Sequence, residues 1–506
     1  MSDRGMSENA AEKTEHRSIY GSGLRNGKTE NENRLLIRFV KLLDVAVILL
    51  FYYLIWMRFY VDGLYASPFF RRGNWIIILL YLFSYVWLAH LYQGFYIHLL
   101  PVNGIIFGQT LACVFANLLM YFVTVLLSRR FVNVFPMLLC LLLDFLFICV
   151  WSKWAHDWHR KHYARKKVII IYDKREGVEE LIREEGLDTR YKVLASVPVS
   201  GVTPEYFEDH ASKAQIIFLC GVHSHERNQI LKACIDRGIQ VFIIPRIGDV
   251  LMMGAVPLHM LHLPILMVNR YNPPFEYVAL KRFFDIVLSA LALVLLSPLM
   301  IVLTILIRRD GGSAFYHQVR LTKDGREFEL LKFRSMRADA EKDGVARLST
   351  GEEDPRITKI GRFIRSCRMD EIPQLINILK GDMSIVGPRP ERPEIAAQYE
   401  KSLPEFSLRL QCKCGLTGYA QVYGKYNTTP YDKLLMDLTY ISNASFAEDI
   451  RICFATVKIL FLKESTEGVA EGQTTASFQK PERSVKEETD VQTQHIAEEA
   501  EQKHNI

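Results

Sequence analysis

Two adjacent carboxylates dominate the chemistry legible in this 506-residue chain. They lie in Arg365-Ser-Cys-Arg368-Met-Asp370-Glu371-Ile-Pro373, ahead of an apolar run that stops at Gly381. Pro373 suits a first helical turn and Gly381 a helix stop, which places Asp370 and Glu371 at a helix N-terminus. Acids there commonly cap the helix and complement its dipole. The same position offers N–H donors and partial positive charge to a phosphate. Arg365 and Arg368 add donors for phosphate oxygens. One carboxylate could then attack phosphorus while its neighbour holds magnesium. The pattern alone leaves cap and catalyst equally open.

Cations recur in two further places. Lys332-Phe-Arg334-Ser-Met-Arg337 follows the short strand expected over Phe328–Lys332 and puts three cations within six residues. A solvated charged face is the simpler reading of it. Gly387-Pro-Arg389-Pro-Glu-Arg-Pro393 is a proline-stiffened loop in which Gly387 permits close backbone approach. Arg389 would be held rigidly there, as phosphate recognition favours; a rigid turn without a ligand is the alternative.

The elements that position these residues follow from an uneven composition. Hydrophobic residues make up 49% of the chain, but they crowd into a few stretches. Leu36–Met57, Trp75–Tyr92, Ile105–Leu127 and Phe131–Trp151 each approach the ~20 apolar residues that cross a bilayer. Four such runs argue against buried soluble helices. Arg34, Arg38 and Lys41 precede the first, and Lys153, Arg160, Lys161, Arg165, Lys166 and Lys167 follow the fourth. Four crossings put both flanks on one side, which the positive-inside rule makes cytoplasmic; Arg58, Arg71 and Arg72 oppose this mildly. Asp44 and Asp144 fall within the spans, as an interfacial group or as helix-packing contacts if not a functional pair.

Over 166–265 the pattern alternates strand and helix. Val168–Tyr172, Ile216–Cys220 and Val241–Pro245 read as buried strands, and Val178–Glu184 and Arg227–Arg237 as helices. Such alternation indicates a doubly wound, Rossmann-like sheet. The turn Tyr172-Asp-Lys-Arg-Glu-Gly177 lacks G-x-G-x-x-G, so no dinucleotide is expected.

Ile286–Ile307 is a further uncharged run of 22 residues, flanked by Lys281, Arg282, Arg308 and Arg309. Basic residues at both ends both favour the cytoplasm. Ser297-Pro298 sits in its middle, where proline removes a backbone hydrogen bond and bends the helix. The Ser297 hydroxyl can satisfy the freed carbonyl, which makes such a break tolerable in lipid. A re-entrant helix over 281–309 is therefore expected, which keeps the next domain on the cytosolic side.

Charge and cysteines narrow the context. From Glu464 to the end there are 10 acids and 4 Lys/Arg, so the rest of the chain carries +12. That excess suits an anionic membrane surface or phosphorylated ligands. No nucleic-acid motif accompanies it, so no nucleic-acid partner is expected. The nine cysteines are odd in number and scattered, and Cys412-Lys-Cys414 has no second pair at zinc spacing. Residues 1–33 read as a polar disordered tail without a secretory signal, and 464–506 as a disordered acidic tail.

The ordered motifs resemble one family. Lys281-Arg282, Ser297-Pro298, Lys332-Phe-Arg-Ser-Met336, Asp370-Glu371-Ile-Pro-Gln-Leu375, Lys380-Gly-Asp-Met-Ser384 and Gly387-Pro-Arg-Pro390 follow the order of the monotopic phosphoglycosyl transferases, also called bacterial sugar transferases. Gly415-Leu-Thr-Gly418, Ala420-Gln-Val422, Asp437-Leu-Thr-Tyr440 and Asp449-Ile450 continue the similarity, from about 278 to 465. One departure is Lys413-Cys414-Gly415, where the family usually has Arg/Lys-Pro-Gly.

The resemblance implies a membrane enzyme of three parts: four transmembrane helices over 34–152, the Rossmann-like cytosolic domain over 166–265, and an α+β catalytic domain over 278–463 carrying the re-entrant helix. It implies transfer of a phosphosugar from a UDP-sugar to undecaprenyl phosphate with release of UMP, as the first membrane step of exopolysaccharide, capsule or O-antigen assembly. Asp370 matches the nucleophile that forms a phosphosugar-aspartyl intermediate. Glu371 matches the acid associated with Mg2+, and Arg389 the arginine near the nucleotide phosphate. Lys332, Arg334, Arg365 and Arg368 are the further phosphate-binding candidates. The implied setting is the bacterial cytoplasmic membrane with the active site on the cytosolic face, among membrane lipids; a homodimer is compatible with it. The rival class is a non-catalytic scaffold or regulator of polysaccharide assembly, which both acids disfavour.

Overall fold

The protein was analysed as a computed structural model that describes residues 35–61, 72–97, 100–173, 175–184, 186–211, 213–309, 311–337, 356–424 and 428–460. The expected tails, 1–33 and 464–506, lie outside the described residues. The chain divides into two compact units, between Pro245 and Arg246.

The first unit begins with helix α1 over 35–55, which ends in a π-helical turn at Trp56–Tyr60. α2 (Gly73–Leu91), α3 (Val102–Ser128) and α4 (Phe135–His162) follow. Long, largely uncharged apolar runs favour helix, which satisfies every backbone group within its own segment in lipid. α2, α3 and α4 are each long and apolar enough to cross a membrane. All four occupy the expected spans, and α4 runs on to carry His159, Arg160, Lys161 and His162 in its last turn, where cations complement the helix dipole. Asp44 and Asp144 are both fully buried among the helices. Asp44 accepts hydrogen bonds from Tyr85 (3.1 Å) and Gln109 (3.0 Å). Asp144 accepts from Asn117 (3.4 Å) and Tyr81 (3.5 Å), whose ring stacks on Tyr52 at 3.8 Å.

The rest of this unit is a parallel sheet with helices. Strands β1 (Lys166–Tyr172), β2 (Tyr191–Pro198), β3 (Ile216–Cys220) and β4 (Gln240–Ile244) lie in the order β2-β1-β3-β4. Every pairing is parallel. Helices α5 (Val178–Glu184), α6 (Pro204–Ala211) and α7 (Ser224–Asp236) connect them. Val168 and Ile170 pack with Val178 and Ile182 on one face. Ile169 and Ile171 pack with Phe207 and Ile230 on the other. Covering both faces explains the continuous apolar run of β1. The edge strand β2 was not expected. Its burial alternates residue by residue, so it carries no continuous apolar run. Arg190, just before β2, donates to the carbonyls of Ile97 (3.0 Å) and Leu100 (2.7 Å), tying the sheet to the α2–α3 connection.

The second unit opens with α8 (Ile247–Met253) and a hairpin of β5 (Val256–Met260) and β6 (Leu263–Met267). α8 lies inside the stretch 166–265, yet Val250 is buried with Leu434, Leu438 and Ile441 of α14 (Pro430–Ser442). α9 (Phe275–Arg308) is a fourth helix of membrane-crossing length, and it passes through Pro298 as one helical run. The freed carbonyl is satisfied as expected: Ser297 Oγ donates to Val294 O at 2.8 Å. On the N-terminal side of Pro298, Leu293 and Leu296 pack against Phe328, Leu375 and Ile378. On the C-terminal side, Leu303 and Ile307 pack against Phe333 and Ile364. The remaining face, with Val294, Leu295 and Ile301, is exposed.

The elements beyond α9 are short. They comprise the antiparallel pair β7 (Phe315–Leu321) and β8 (Glu327–Phe333), α10 (Lys359–Ser366), α11 (Gln374–Lys380), β9 (Ser384–Val386), α12 (Pro393–Ser402), β10 (Gly415–Thr417), α13 (Tyr419–Tyr423), α14 and α15 (Phe446–Leu460). β9 and β10 pair in parallel. Gly387 and Gly415 approach so closely there that a Cβ on Gly415 would collide with the Gly387 backbone.

Candidate active site

The two acids do not occupy the first turn of an α-helix, as the sequence suggested. They sit in a separate 3-10 turn, Met369–Glu371, ahead of α11. The cause is Arg368, whose left-handed backbone (φ 56°) breaks the chain between α10 and this turn. Pro373 is the N-cap of α11, and Gly381 ends it in the left-handed conformation (φ 93°). At three residues per turn, Asp370 and Glu371 point about 120° apart, enough for separate tasks.

Glu371 is the more enclosed member, with 13% of its side chain exposed. Its Oε1 accepts from Lys332 Nζ at 3.2 Å and from Arg389 Nη2 at 2.9 Å. Burial alone would raise its pKa, but Arg389, Lys332 and Arg368 outweigh burial and hold the carboxyl well below the usual carboxylate range. Asp370 behaves oppositely. Burial, and then the negative charge of Glu371, raise its pKa, while Lys332, Arg365 and Arg389 pull it down. Lys332 is lowered by burial, with Glu371 opposing. The cations thus favour the ionised form of Glu371, and burial beside it makes Asp370 the more basic of the two acids.

The sequence candidates separate into groups. Lys332, at the end of β8, and Arg389, in the turn after β9, meet at Glu371. Arg365, at the end of α10, lies close enough to lower the pKa of Asp370. Its Nη1 is buried with no hydrogen-bond partner among the described residues. Such a donor is costly unless something anionic satisfies it. Arg368 contributes charge to Glu371. Arg334 is turned elsewhere: its Nη2 donates to Ile307 O (3.1 Å), at the last turn of α9.

The motif residues that carry no chemistry seat α9 on this site. Arg282 donates to Ile378 O (2.6 Å) and Leu379 O (2.8 Å), capping α11. Asp285 accepts from Ile385 N at 2.9 Å. Lys281 pairs with Asp449 at 2.7 Å, and Tyr440 donates to the same carboxylate at 2.7 Å. The sequence missed a second layer of charge: Arg320, Glu391, Arg409 and Asp437 surround the Arg389 turn. Glu391, within the proline-stiffened loop, and Asp437, within Asp437-Leu-Thr-Tyr440, lay in motifs the sequence marked; Arg320 and Arg409 did not.

A magnesium ion fits the donors present. Among the described residues, no three His, Cys, Asp or Glu side chains gather as a ready-made cage. Mg2+ seldom needs one, since it keeps waters and substrate phosphate oxygens around one or two carboxylates. Glu371 is ionised and Asp370 adjoins it.

With this geometry in view, similarity to known proteins is informative. The family model described as bacterial sugar transferase matches residues 276–463. The UDP-glucose:undecaprenyl-phosphate glucose-1-phosphate transferase of Caulobacter vibrioides is 35% identical over 209 residues, which are 40% of this chain and 78% of that protein. The chain belongs to the bacterial sugar transferase family. Two further known proteins are similar to it. Galactosyl transferase CpsE of Streptococcus agalactiae serotype III is 42% identical over 198 residues, 37% of this chain and 43% of the relative. The UDP-N-acetylgalactosamine-undecaprenyl-phosphate N-acetylgalactosaminephosphotransferase of Aeromonas hydrophila is 35% identical over 239 residues, 46% of this chain and 55% of the relative. The chain thus spans about half the length of these last two relatives. The family match contains Lys332, Arg365, Arg368, Asp370, Glu371 and Arg389.

Proposed function

We propose that this bacterial sugar transferase moves a phosphosugar from a UDP-sugar to undecaprenyl phosphate at the cytosolic face of the bacterial cytoplasmic membrane, with release of UMP. The observation that carries the reading is the division of labour between the adjacent acids. Glu371 is paired with Lys332 and Arg389, whereas Asp370 is the more basic acid and feels the charge of Arg365, whose buried Nη1 has no hydrogen-bond partner among the described residues.

In the first step an Asp370 carboxylate oxygen attacks the sugar-side phosphorus of the UDP-sugar. The phosphorus–oxygen bond to UMP breaks, and its electrons leave on the UMP phosphate. In the second step an oxygen of undecaprenyl phosphate attacks the same phosphorus. The bond to Asp370 breaks, the carboxylate is regenerated, and the lipid carries a diphosphosugar. Arg365 and Lys332 supply positive charge where phosphoryl charge develops. Arg389, clamped on Glu371, presents its remaining donors to the nucleotide side. Glu371, with Asp370 next to it, would hold Mg2+, which when bound offsets charge on the phosphoryl oxygens.

The packing of α9 supports re-entry. Both halves of the helix, either side of Pro298, pack on the one domain that carries Asp370. Arg282 near one end and Ile307 at the other are hydrogen-bonded to it. A helix crossing the bilayer would carry its far end away from that domain. In this reading the domain lies on the membrane surface within reach of the lipid phosphate. The sheet order β2-β1-β3-β4 supports a Rossmann-like domain, to which no dinucleotide is assigned.

The test is Asp370→Asn in the full-length protein reconstituted with undecaprenyl phosphate. UMP release from UDP-galactose, UDP-glucose and their N-acetylated relatives should fall to background for each sugar that the parent protein uses. Turnover equal to the parent's would remove Asp370 as nucleophile. A parent that uses none of these sugars, with its fold intact, would favour the scaffold.

A further inference from the structure

The turn that carries Arg389 is pinned at each backbone carbonyl from Pro388 to Glu391. Pro388 O accepts from Gly415 N at 2.9 Å. Arg389 O accepts from Arg409 Nη2 at 2.9 Å. Pro390 O accepts from Arg320 Nη1 at 3.0 Å. Glu391 O accepts from Leu321 N at 3.0 Å, and Gly387 N donates to Thr417 O at 2.9 Å. Pro388 and Pro390 have no N–H to spend. Two of these donors are arginine side chains, and they lie on opposite sides of one carboxylate. Glu391 Oε1 is 3.7 Å from Arg409 Nη1, and Glu391 Oε2 is 3.9 Å from Arg320 Nη1.

Arg409 is itself aimed by Asp437. Its Nε donates to Asp437 Oδ2 at 2.8 Å and its Nη2 pairs with the same oxygen at 2.7 Å. The two side chains are 3% and 1% exposed. A buried ion pair of this kind gives little stability over well-packed apolar residues, because desolvating both charges offsets their attraction. It does give geometry. An arginine fork held by a carboxylate has few orientations left, and the remaining donor here goes to the backbone oxygen of Arg389.

We infer that Arg409 and Arg320 are positioning residues for the transfer reaction: together with Asp437 and Glu391 they clamp the 387–391 turn so that the Arg389 guanidinium meets Glu371. The inference rests on the reading of Arg389 and Glu371 given above. It adds that four charged residues outside the reacting cluster set its geometry. None of the four is hydrogen-bonded to Asp370, and the hydrogen bonds that Arg409 and Arg320 make to the backbone here run to the Arg389 turn.

Coupling to Arg389 tests this. Full-length Arg409→Lys and Arg320→Lys, each alone and each combined with Arg389→Ala, are assayed in nanodiscs for UMP release. The probes are undecaprenyl phosphate and whichever of UDP-galactose, UDP-glucose and their N-acetylated relatives the parent uses best. Lysine keeps the charge but cannot serve carboxylate and carbonyl together in the fork geometry. Each single variant should lose on the order of 10- to 100-fold in kcat, as small misplacements do. KM for the UDP-sugar should stay within about threefold. In the Arg389→Ala background the same replacements should cost less than about threefold more, because the residue they act through is gone. If Arg389→Ala falls below detection, Arg389→Lys serves as the background. If Arg409→Lys unfolds at the assay temperature, Arg320→Lys decides. Full additivity, or an unchanged kcat, overturns the clamp. Asp370→Asn separates this from the wider reading: additive clamp variants with an inactive Asp370→Asn would sink the inference alone.

Discussion

At the scale of single residues, the site works by giving two neighbouring carboxylates opposite environments. A nucleophile must be ionised, so activity should fall on the acid side as Asp370 takes up a proton. Its pKa is raised by burial and by Glu371, and held down by Lys332, Arg365 and Arg389. Lys332→Met removes one of the cations that lower it. The Asp370 pKa should therefore rise further, and the acid limb of the kcat/KM profile should move to higher pH. A limb that stays in place in this variant would detach Lys332 from the titration of the nucleophile. Residue types and spacing offered Asp370, Glu371, Arg365 and Arg368 as either a helix cap or a phosphate site, and left Lys332 in a run read more simply as a solvated charged face. They could not expose Arg320 or Arg409. Neither belongs to a local pattern, and the partners of Arg409 stand 28 positions away at Asp437 and 20 away at Arg389. Arg334 shows the converse: a phosphate candidate alongside the family resemblance, it donates from Nη2 to Ile307 O at the end of α9.

At the scale of elements, hydropathy located the helices well because lipid leaves a chain little choice but helix. β1, β3 and β4 were legible as apolar runs, whereas β2 alternates and a proline interrupts each of β5 and β6. The element with most consequence for function is α9. Composition alone fits a crossing helix, and the Ser297–Val294 hydrogen bond shows how Pro298 is accommodated without settling the direction of the chain. Topology can be read by labelling. Ser313 follows α9 and is exposed, and the exposed native Cys367 lies in the same unit. In a Cys367→Ser background, Ser313→Cys should react with a membrane-impermeant maleimide in inverted vesicles and not in intact spheroplasts. The parent Cys367 should follow the same pattern. Reaction of Ser313→Cys from outside would mean that α9 crosses and that the domain faces away from the nucleotide pool.

At the scale of the whole molecule, the relation between family region and folded unit carries a further consequence. The family match begins at residue 276, but the second unit begins at Arg246. Sequence alternation of strand and helix runs unbroken through this point, so nothing local marks a boundary inside 166–265. Packing does mark it. Val250 is fully buried in the cluster against which Ile247, Leu251 and Tyr271 also pack, and Ser442 Oγ donates to Val250 O at 3.0 Å. Tyr271 N also donates to Gln411 Oε1 at 2.9 Å, next to the segment that holds Arg409. Burying one such aliphatic side chain stabilises by about 1.5–3 kcal/mol, and each kcal/mol shifts the midpoint of a unit this size by about 2–4 °C. A chain starting at Arg246 should therefore retain UMP release in nanodiscs within a few-fold of the full protein. A chain starting at Glu276 should melt several degrees lower and lose kcat, because the support behind the Arg409 clamp goes with α8 and Tyr271. Equal melting and equal turnover of the two truncated chains would show that the catalytic core ends where the family similarity does. The expected difference would make residues 246–275 part of the enzyme rather than a connection to it.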